Sequence, residues 1–84
     1  MATVTVSIKS MKFQPPTIEV KAGDSVQWKN EANMTHTATS DSDAWDTGDI
    51  DANATSKAIA FPAKGSNPYH CEIHPGMKGT VVVK

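Results

Sequence analysis

The sequence predicts an all-β fold in which short strands form an antiparallel sandwich or barrel. Apolar and polar residues alternate along most of the 84 residues, and a period of two is typical of strands that bury one face. Pro, Gly, Asn and Asp separate these runs, as turn residues do between the strands of sandwiches. Helical periodicity is almost absent, so we expect strands and turns throughout.

The alternating runs give the strands in order. The first covers residues 3–9, and two more lie on either side of the turn dipeptide Gly23-Asp24, which predicts a hairpin over 17–29. Further strands are predicted at 35–40, 56–61, 67–73 and 79–84. Residues 41–55 form the one long irregular segment, with room for a short helical turn. We expect Trp45 and Ile50 to pack this segment onto the body.

Composition indicates one ordinary globular domain over residues 1–84. The hydrophobic content is 38% and the net charge is -1, which excludes a disordered or strongly charged chain. There is no Arg, and the eight Lys are scattered singly, so we expect no nucleic-acid binding. No apolar run approaches the roughly 20 residues that span a bilayer, and the first ten residues lack the pattern of a secretory signal.

Residues 69–79, YHCEIHPGMKG, gather the single cysteine, two of the three histidines and one of the four methionines. By strand parity Cys71 points inward while His70 faces away and is interpreted as a surface residue. Pro75 and Gly76 then favour a reversal of the chain. Such a turn would bring Cys71 together with His74 and Met77. A single cysteine excludes an internal disulfide, so a metal is the available cross-link for this small core.

A thiolate, an imidazole and a thioether in one loop favour copper. Calcium and magnesium take oxygen ligands, and structural zinc takes four Cys or His ligands, of which the loop offers two. Two His, one Cys and a weak axial Met form the blue-copper arrangement. The second imidazole would come from His36, which follows the strand predicted to end near Lys29 at an end of the sandwich where loops cluster.

Together these motifs resemble the small blue copper proteins, or cupredoxins, of the plastocyanin and amicyanin family. KAGDSVQWKN, DTGDI and PYHCEIHPGMKGTVVV match family patterns in order, and the short CEIHPGM loop resembles that of the amicyanins. The resemblance implies a cupredoxin-like Greek-key sandwich of two sheets, with about seven to eight strands. It also implies one copper ion held by His36, Cys71, His74 and Met77. Many plastocyanins carry Asn after the first ligand His; here Thr37 stands there, and backbone N–H groups near it are expected to donate to the sulfur.

The resemblance further implies a soluble carrier of single electrons, not an enzyme. Electrons would pass through the edge of His74, where redox proteins would dock transiently on an apolar patch. We call this patch, formed by Met34, Pro75 and Gly76, the docking patch. A monomer is expected. The family also implies a periplasmic or other extracytoplasmic location.

Two alternatives use the same residues. A copper carrier or buffer would release the ion readily to chelators, whereas an electron carrier would retain it. A nucleophilic Cys71 with His74 as its base is the third hypothesis, but no oxyanion arrangement accompanies it. The acidic residues of 41–51 do not fit an EF-hand and are interpreted as a solvated loop or as a region that steers a basic partner.

Overall fold

In the computed structural model, which describes residues 2–84, eight strands form two four-stranded sheets around one core. The strands are β1 Thr3–Lys9, β2 Lys12–Gln14, β3 Thr17–Val20, β4 Ser25–Asn30, β5 Thr39–Ser40, β6 Ile59–Ala60, β7 Gly65–His70 and β8 Lys78–Val83. Their order is β2-β1-β4-β6 in one sheet and β3-β8-β7-β5 in the other. The predicted all-β sandwich is confirmed. Within residues 2–84 no helix is long and apolar enough to cross a membrane.

Period-two alternation explains which residues enter the core. In β4, Val26 and Trp28 are buried while their neighbours are half-buried. Ile8 of β1 joins them from the same sheet, and Val81 and Val83 of β8 come from the other sheet. The apolar parity of each strand therefore faces the partner sheet, where burial of apolar surface stabilises the pair.

The predicted hairpin over 17–29 is wrong, because its two strands belong to different sheets. β3 pairs in parallel with β8, and β4 pairs in parallel with β1, so both sheets are mixed and the prediction of a purely antiparallel sandwich is wrong as well. Gly23 and Asp24 do reverse the chain, with a φ of 97° at Gly23. However, the N–H of Gly23 and the carbonyl of Asp24 both bond to Phe61, at 2.9 Å each. The turn residues predict a reversal correctly, but they do not determine which strands pair.

Aromatic rings fill the core behind the end of β7. Tyr69 packs edge-on against Phe13 and Trp28, with ring centroids 4.7 and 5.3 Å away, and Trp45 stacks on Trp28 at 5.4 Å. Gly79 is the cross-strand partner of Tyr69; a Cβ there would lie 2.5 Å from the phenol oxygen. Burial raises the pKa of Tyr69 to about 12. The expected packing of Trp45 onto the body is confirmed.

Residues 41–55 form an irregular segment, as predicted, but contain no helical turn. Isolated bridges join the segment to the body, from Thr39 to Asp46 and from His36 to Ile50. Ile50 is buried, as expected. The flanking strands β5 and β6 have only two residues each, shorter than the predicted 35–40 and 56–61. Backbone pairing therefore fixes this segment beside the residues that follow β4.

Candidate metal centre

Three potential ligand atoms converge where the chain leaves β4 and β7. Nδ1 of His36 lies 3.7 Å from Sγ of Cys71, and Nδ1 of His74 lies 3.9 Å from the same sulfur. All three atoms lie within 4.8 Å of one another. With bond lengths like those of zinc, a trigonal ion would hold nitrogen and sulfur about 3.8 Å apart. The observed spacing therefore fits one shared ion, and the mixed soft and borderline donors suit copper.

Backbone and side-chain hydrogen bonds fix the segment that carries His36. Its N–H donates to the carbonyl of Ile50 at 3.1 Å, and the N–H of Ile50 donates back at 2.7 Å. Asn30, the last residue of β4, is fully buried. Its side chain donates to the carbonyls of Met34 and Ile50, at 2.7 and 2.8 Å, and accepts from the N–H of Ala32 at 2.9 Å. One amide group thus holds the turn that leads into His36.

The imidazole of His36 is fully buried. Burial lowers its pKa, and the nearby His74 lowers the pKa further. The two rings lie 4.8 Å apart between centroids. A metal ligand must be the neutral imidazole, so this environment favours the form that coordination requires.

Cys71 and Met77 face each other at the end of the β7–β8 ladder. The N–H of Cys71 donates to the carbonyl of Met77 at 3.1 Å, and the N–H of Met77 donates to the carbonyl of His74 at 2.9 Å. Cys71 and Met77 are buried, whereas His74 is half-buried and Pro75 and Gly76 are exposed. The predicted inward direction of Cys71 and the predicted reversal at Pro75 and Gly76 are both confirmed.

Thr37 connects the two segments that carry the cluster. Its N–H donates to Sγ of Cys71 at 3.4 Å, which confirms the expected backbone donor. Its hydroxyl accepts the N–H of Glu72 at 2.8 Å. A threonine hydroxyl thus joins the segments at the position where many plastocyanins carry Asn.

His70 lies outside the cluster, facing solvent between two carboxylates. Its Nδ1 lies 2.5 Å from Asp41 and its Nε2 lies 3.0 Å from Glu72. The hydrogen bond with Asp41, and then that with Glu72, raise the pKa of His70. The surface position predicted for His70 is confirmed, and Asp41 of the acidic segment acquires a specific partner.

Large exposed apolar side chains lie close to the cluster in sequence or in space. Within residues 2–84 they are Met11, Met34 and Ile73, which are 46%, 49% and 46% exposed. Met34 comes two residues before His36, and Ile73 directly precedes His74. Met11 lines a cavity of about 510 Å³ together with Gly76 and Met77. The exposed position predicted for Met34 is confirmed, and Met11 and Ile73 are exposed to a similar degree.

The role of Asn30 is absent from the sequence-based predictions. Asn30 occupies the buried parity of β4, and a polar residue at such a position signals an internal hydrogen-bonding role. That signal is present in the sequence. The hydrogen-bond partners of Asn30 could not be predicted, because they lie in loops whose positions no local sequence pattern determines.

Comparisons with known proteins agree with this geometry. Residues 1–84 match the sequence profile of copper binding proteins of the plastocyanin/azurin family. The chain is 34% identical to amicyanin of Paracoccus denitrificans, over 96% of this chain and 65% of that protein. It is 37% identical to amicyanin-alpha of Methylorubrum extorquens, over 94% of this chain and 70% of that protein. The chain thus spans about two thirds of the length of these relatives.

Solved structures extend the likeness to three dimensions. A structure of a reduced amicyanin mutant matches with a TM-score of 0.89 at 30% identity, over 98% of this chain and 82% of that chain. A second, of another amicyanin mutant in the Cu(I) state, matches with a TM-score of 0.87 at 29% identity, over 98% and 82% of the two chains. With the family profile matched along its whole length, the chain belongs to the plastocyanin/azurin family of copper-binding proteins.

Proposed function

We propose that this protein is a blue copper protein that carries single electrons, with copper bound by His36, Cys71, His74 and Met77. The observation that carries the proposal is the spacing of 3.7 and 3.9 Å between one thiol sulfur and two imidazole nitrogens. Bound copper would supply the Cu(I)/Cu(II) couple, to which thiolate, imidazole and a weak thioether are jointly suited. Amicyanins and plastocyanins act as electron carriers, which supports the same role here.

The chain's own contribution is to hold the donor atoms in place. His36 is fixed by its two backbone bonds with Ile50, and Cys71 is fixed by its N–H bond to Met77. These backbone bonds fix the points from which the two side chains extend, and donors carried on a rigid backbone keep a site in its working geometry. The N–H of Thr37 withdraws electron density from the sulfur of Cys71, which favours the reduced state and raises the potential.

Electrons would pass between the copper and a redox partner through the edge of His74. It is the half-buried member of the cluster, while Cys71 and His36 are fully buried. Around it we place the docking patch of Met34, Pro75 and Gly76. Exposed apolar surface of this kind suits small, transient interfaces with redox proteins. We further propose one monomeric domain over 1–84 that works outside the cytoplasm, in the periplasm or a similar compartment, as the family resemblance implies.

Loading the protein with Cu(II) tests the proposed ligands. We expect intense visible absorption from the bond between thiolate and copper, and its loss in Cys71→Ser. The absorption should survive repeated cycles of reduction and reoxidation in the presence of a Cu(I) chelator. Removal of copper by the chelator during the first cycle would instead indicate a copper carrier, and absence of the absorption would reject the proposed site.

Electron self-exchange, measured by NMR on mixtures of the two oxidation states, tests the docking patch. Two molecules must bring their patches together, so Met34→Lys places like charges face to face and should slow the exchange about tenfold. Ala58→Lys adds the same charge at an exposed position outside the patch and serves as the control. Equal rates for the two variants would contradict the proposed patch.

A further inference from the structure

A chain of hydrogen bonds leads from the peptide beside Cys71 to a carboxylate on the surface. The N–H of Glu72 donates to Oγ1 of Thr37 at 2.8 Å. Oγ1 of Thr37 lies 3.1 Å from Oγ1 of Thr39, which donates to Oδ1 of Asp46 at 3.1 Å. Both threonines are buried, and Asp46 is exposed. The acidic segment thereby reaches the loop that carries the thiol.

The direction of every bond in this chain is determined. An ionised carboxylate can only accept hydrogen bonds, so the hydroxyl proton of Thr39 is donated to Asp46. The proton between the two hydroxyls must therefore come from Thr37, which leaves its oxygen free to accept from Glu72. All three bonds run the same way, towards the negative charge, and bonds in such a chain polarise and strengthen one another.

Asp46 is held in place at its end of the chain. The same Oδ1 atom accepts the N–H of Gly48 at 2.8 Å, and the backbone of Asp46 forms a bridge with Thr39. Other carboxylates of the segment have different partners, since Asp41 contacts His70 and Asp51 contacts Thr35. Asp46 is thus the acidic residue connected to Thr37.

We propose that Asp46 is a positioning residue for the metal centre, acting through Thr39 and Thr37 on the peptide of Glu72 and hence on Cys71. Its charge makes the oxygen of Thr37 a stronger acceptor, which holds this peptide while the N–H of Thr37 bonds the sulfur. The hydrogen bonds polarised by this negative charge also favour the oxidised state of bound copper over the reduced state. The effect on the potential rests on the proposed function, whereas the effect on the Glu72 amide does not.

The first test is Asp46→Asn, which keeps an acceptor oxygen but removes the charge. Amide hydrogen exchange at Glu72 is followed by NMR in the metal-free protein and in the Cu(I) protein. We expect exchange about fivefold faster in both, because a bond of about 1 kcal/mol is weakened. Asp43→Asn removes the same charge from the same segment without touching the chain, and it should leave Glu72 unchanged. Equal responses of Glu72 to both variants, or no response to either, would overturn the proposal.

A double-mutant cycle on the reduction potential supplies the second test. At a fixed applied potential, Asp46→Asn should raise the ratio of Cu(I) to Cu(II) by about twofold or more. Thr39→Val should remove that response, because it interrupts the chain of hydrogen bonds. Thr39→Ser keeps the hydroxyl, so the response to Asp46→Asn should be present in that background. Additive effects of Asp46→Asn and Thr39→Val would overturn the relay. A protein that lacks the blue spectrum but shows the Glu72 response would refute the proposed function alone.

Discussion

His36 and His74 face the same sulfur from contrasting surroundings. His36 is fully buried, and its backbone N–H and carbonyl both form hydrogen bonds with the backbone of Ile50. His74 is half-buried on a loop where Ile73 and Pro75 are exposed. The two imidazoles lie at nearly equal distances from Cys71, 3.7 and 3.9 Å. Equivalent donor positions are therefore reached once from the core and once from the surface.

The difference separates two tasks within one small site. The buried side supplies a fixed position, because the backbone of His36 is hydrogen-bonded to Ile50, and it excludes water, because the side chain is fully buried. The exposed side leaves His74 accessible from solvent. Changes near His36 should therefore affect stability and metal retention, and changes near His74 should affect exchange with the surroundings.

The largest expected effect comes from replacing each histidine by glycine in the copper-loaded protein. Both changes should abolish the thiolate absorption, since each removes a proposed ligand. Added imidazole should restore it in His74→Gly, because the gap opens to solvent. In His36→Gly the gap is enclosed by the core, so restoration should be weak or absent. Absorbance titrations with imidazole measure both, and equal recovery would show that the contrast in burial has no chemical consequence.

Asn30→Ala should produce the largest loss of stability on the His36 side. It removes three hydrogen bonds of a fully buried side chain, to Met34, Ile50 and Ala32, and at about 1 kcal/mol each we expect a loss of about 3 kcal/mol in the free energy of unfolding. Urea unfolding of the metal-free protein measures this loss. Asn67→Ala is the matched control, because the side chain of Asn67 makes only bonds of 3.3 and 3.4 Å at a partly exposed site. A loss no greater than in the control would mean that Asn30 does not anchor this segment.

Gly79→Ala tests the packing behind Cys71. The added Cβ would overlap the ring of Tyr69, and crowding of this kind costs about 2 kcal/mol. Gly76→Ala provides the control on the exposed loop, since no atom lies within 4 Å of its added Cβ. Thermal unfolding of both variants should show a lower midpoint for Gly79→Ala only. Similar midpoints would mean that the Tyr69 ring can move aside at little cost.

The smallest effect is a pH dependence at His70. Its pKa in the folded protein is raised above the ordinary 6.5, first by Asp41 and then by Glu72. The resulting stabilisation is fully present below pH 6.5 and is lost as the pH rises through the raised value. The difference in urea midpoint between the wild type and His70→Gln should therefore be larger at pH 5 than at pH 9. A constant difference would show that protonation of His70 contributes nothing.

Much of this architecture was predictable from local pattern. Alternation over residues 3–9 predicted β1, the consecutive valines of 79–84 predicted β8, and the parity of the run before Pro75 predicted the inward direction of Cys71. These features depend on neighbours in sequence, where strand geometry leaves few choices. The spacing of Cys71, His74 and Met77 was informative for the same reason.

Longer-range features were not predictable in this way. The pairing of β3 with β8 and of β4 with β1 joins residues far apart in sequence, and the turn at Gly23 carried no information about it. The partners of Asn30 and the link from Thr39 to Asp46 depend on how the irregular segment packs. Polar residues in such segments are compatible with solvent as well as with a buried network, so sequence alone left their role open.

The bond from the N–H of Cys71 to the carbonyl of Met77 adds one rung to the strand ladder beyond the pair formed by His70 and Lys78. Cys71 and Met77 thus lie directly at the end of the sheet, while His74 lies in the excursion between them. Lengthening or shortening that excursion would move the imidazole and reshape the surface without disturbing either sulfur. The length of this loop can therefore change the surface around His74 independently of the positions of Cys71 and Met77.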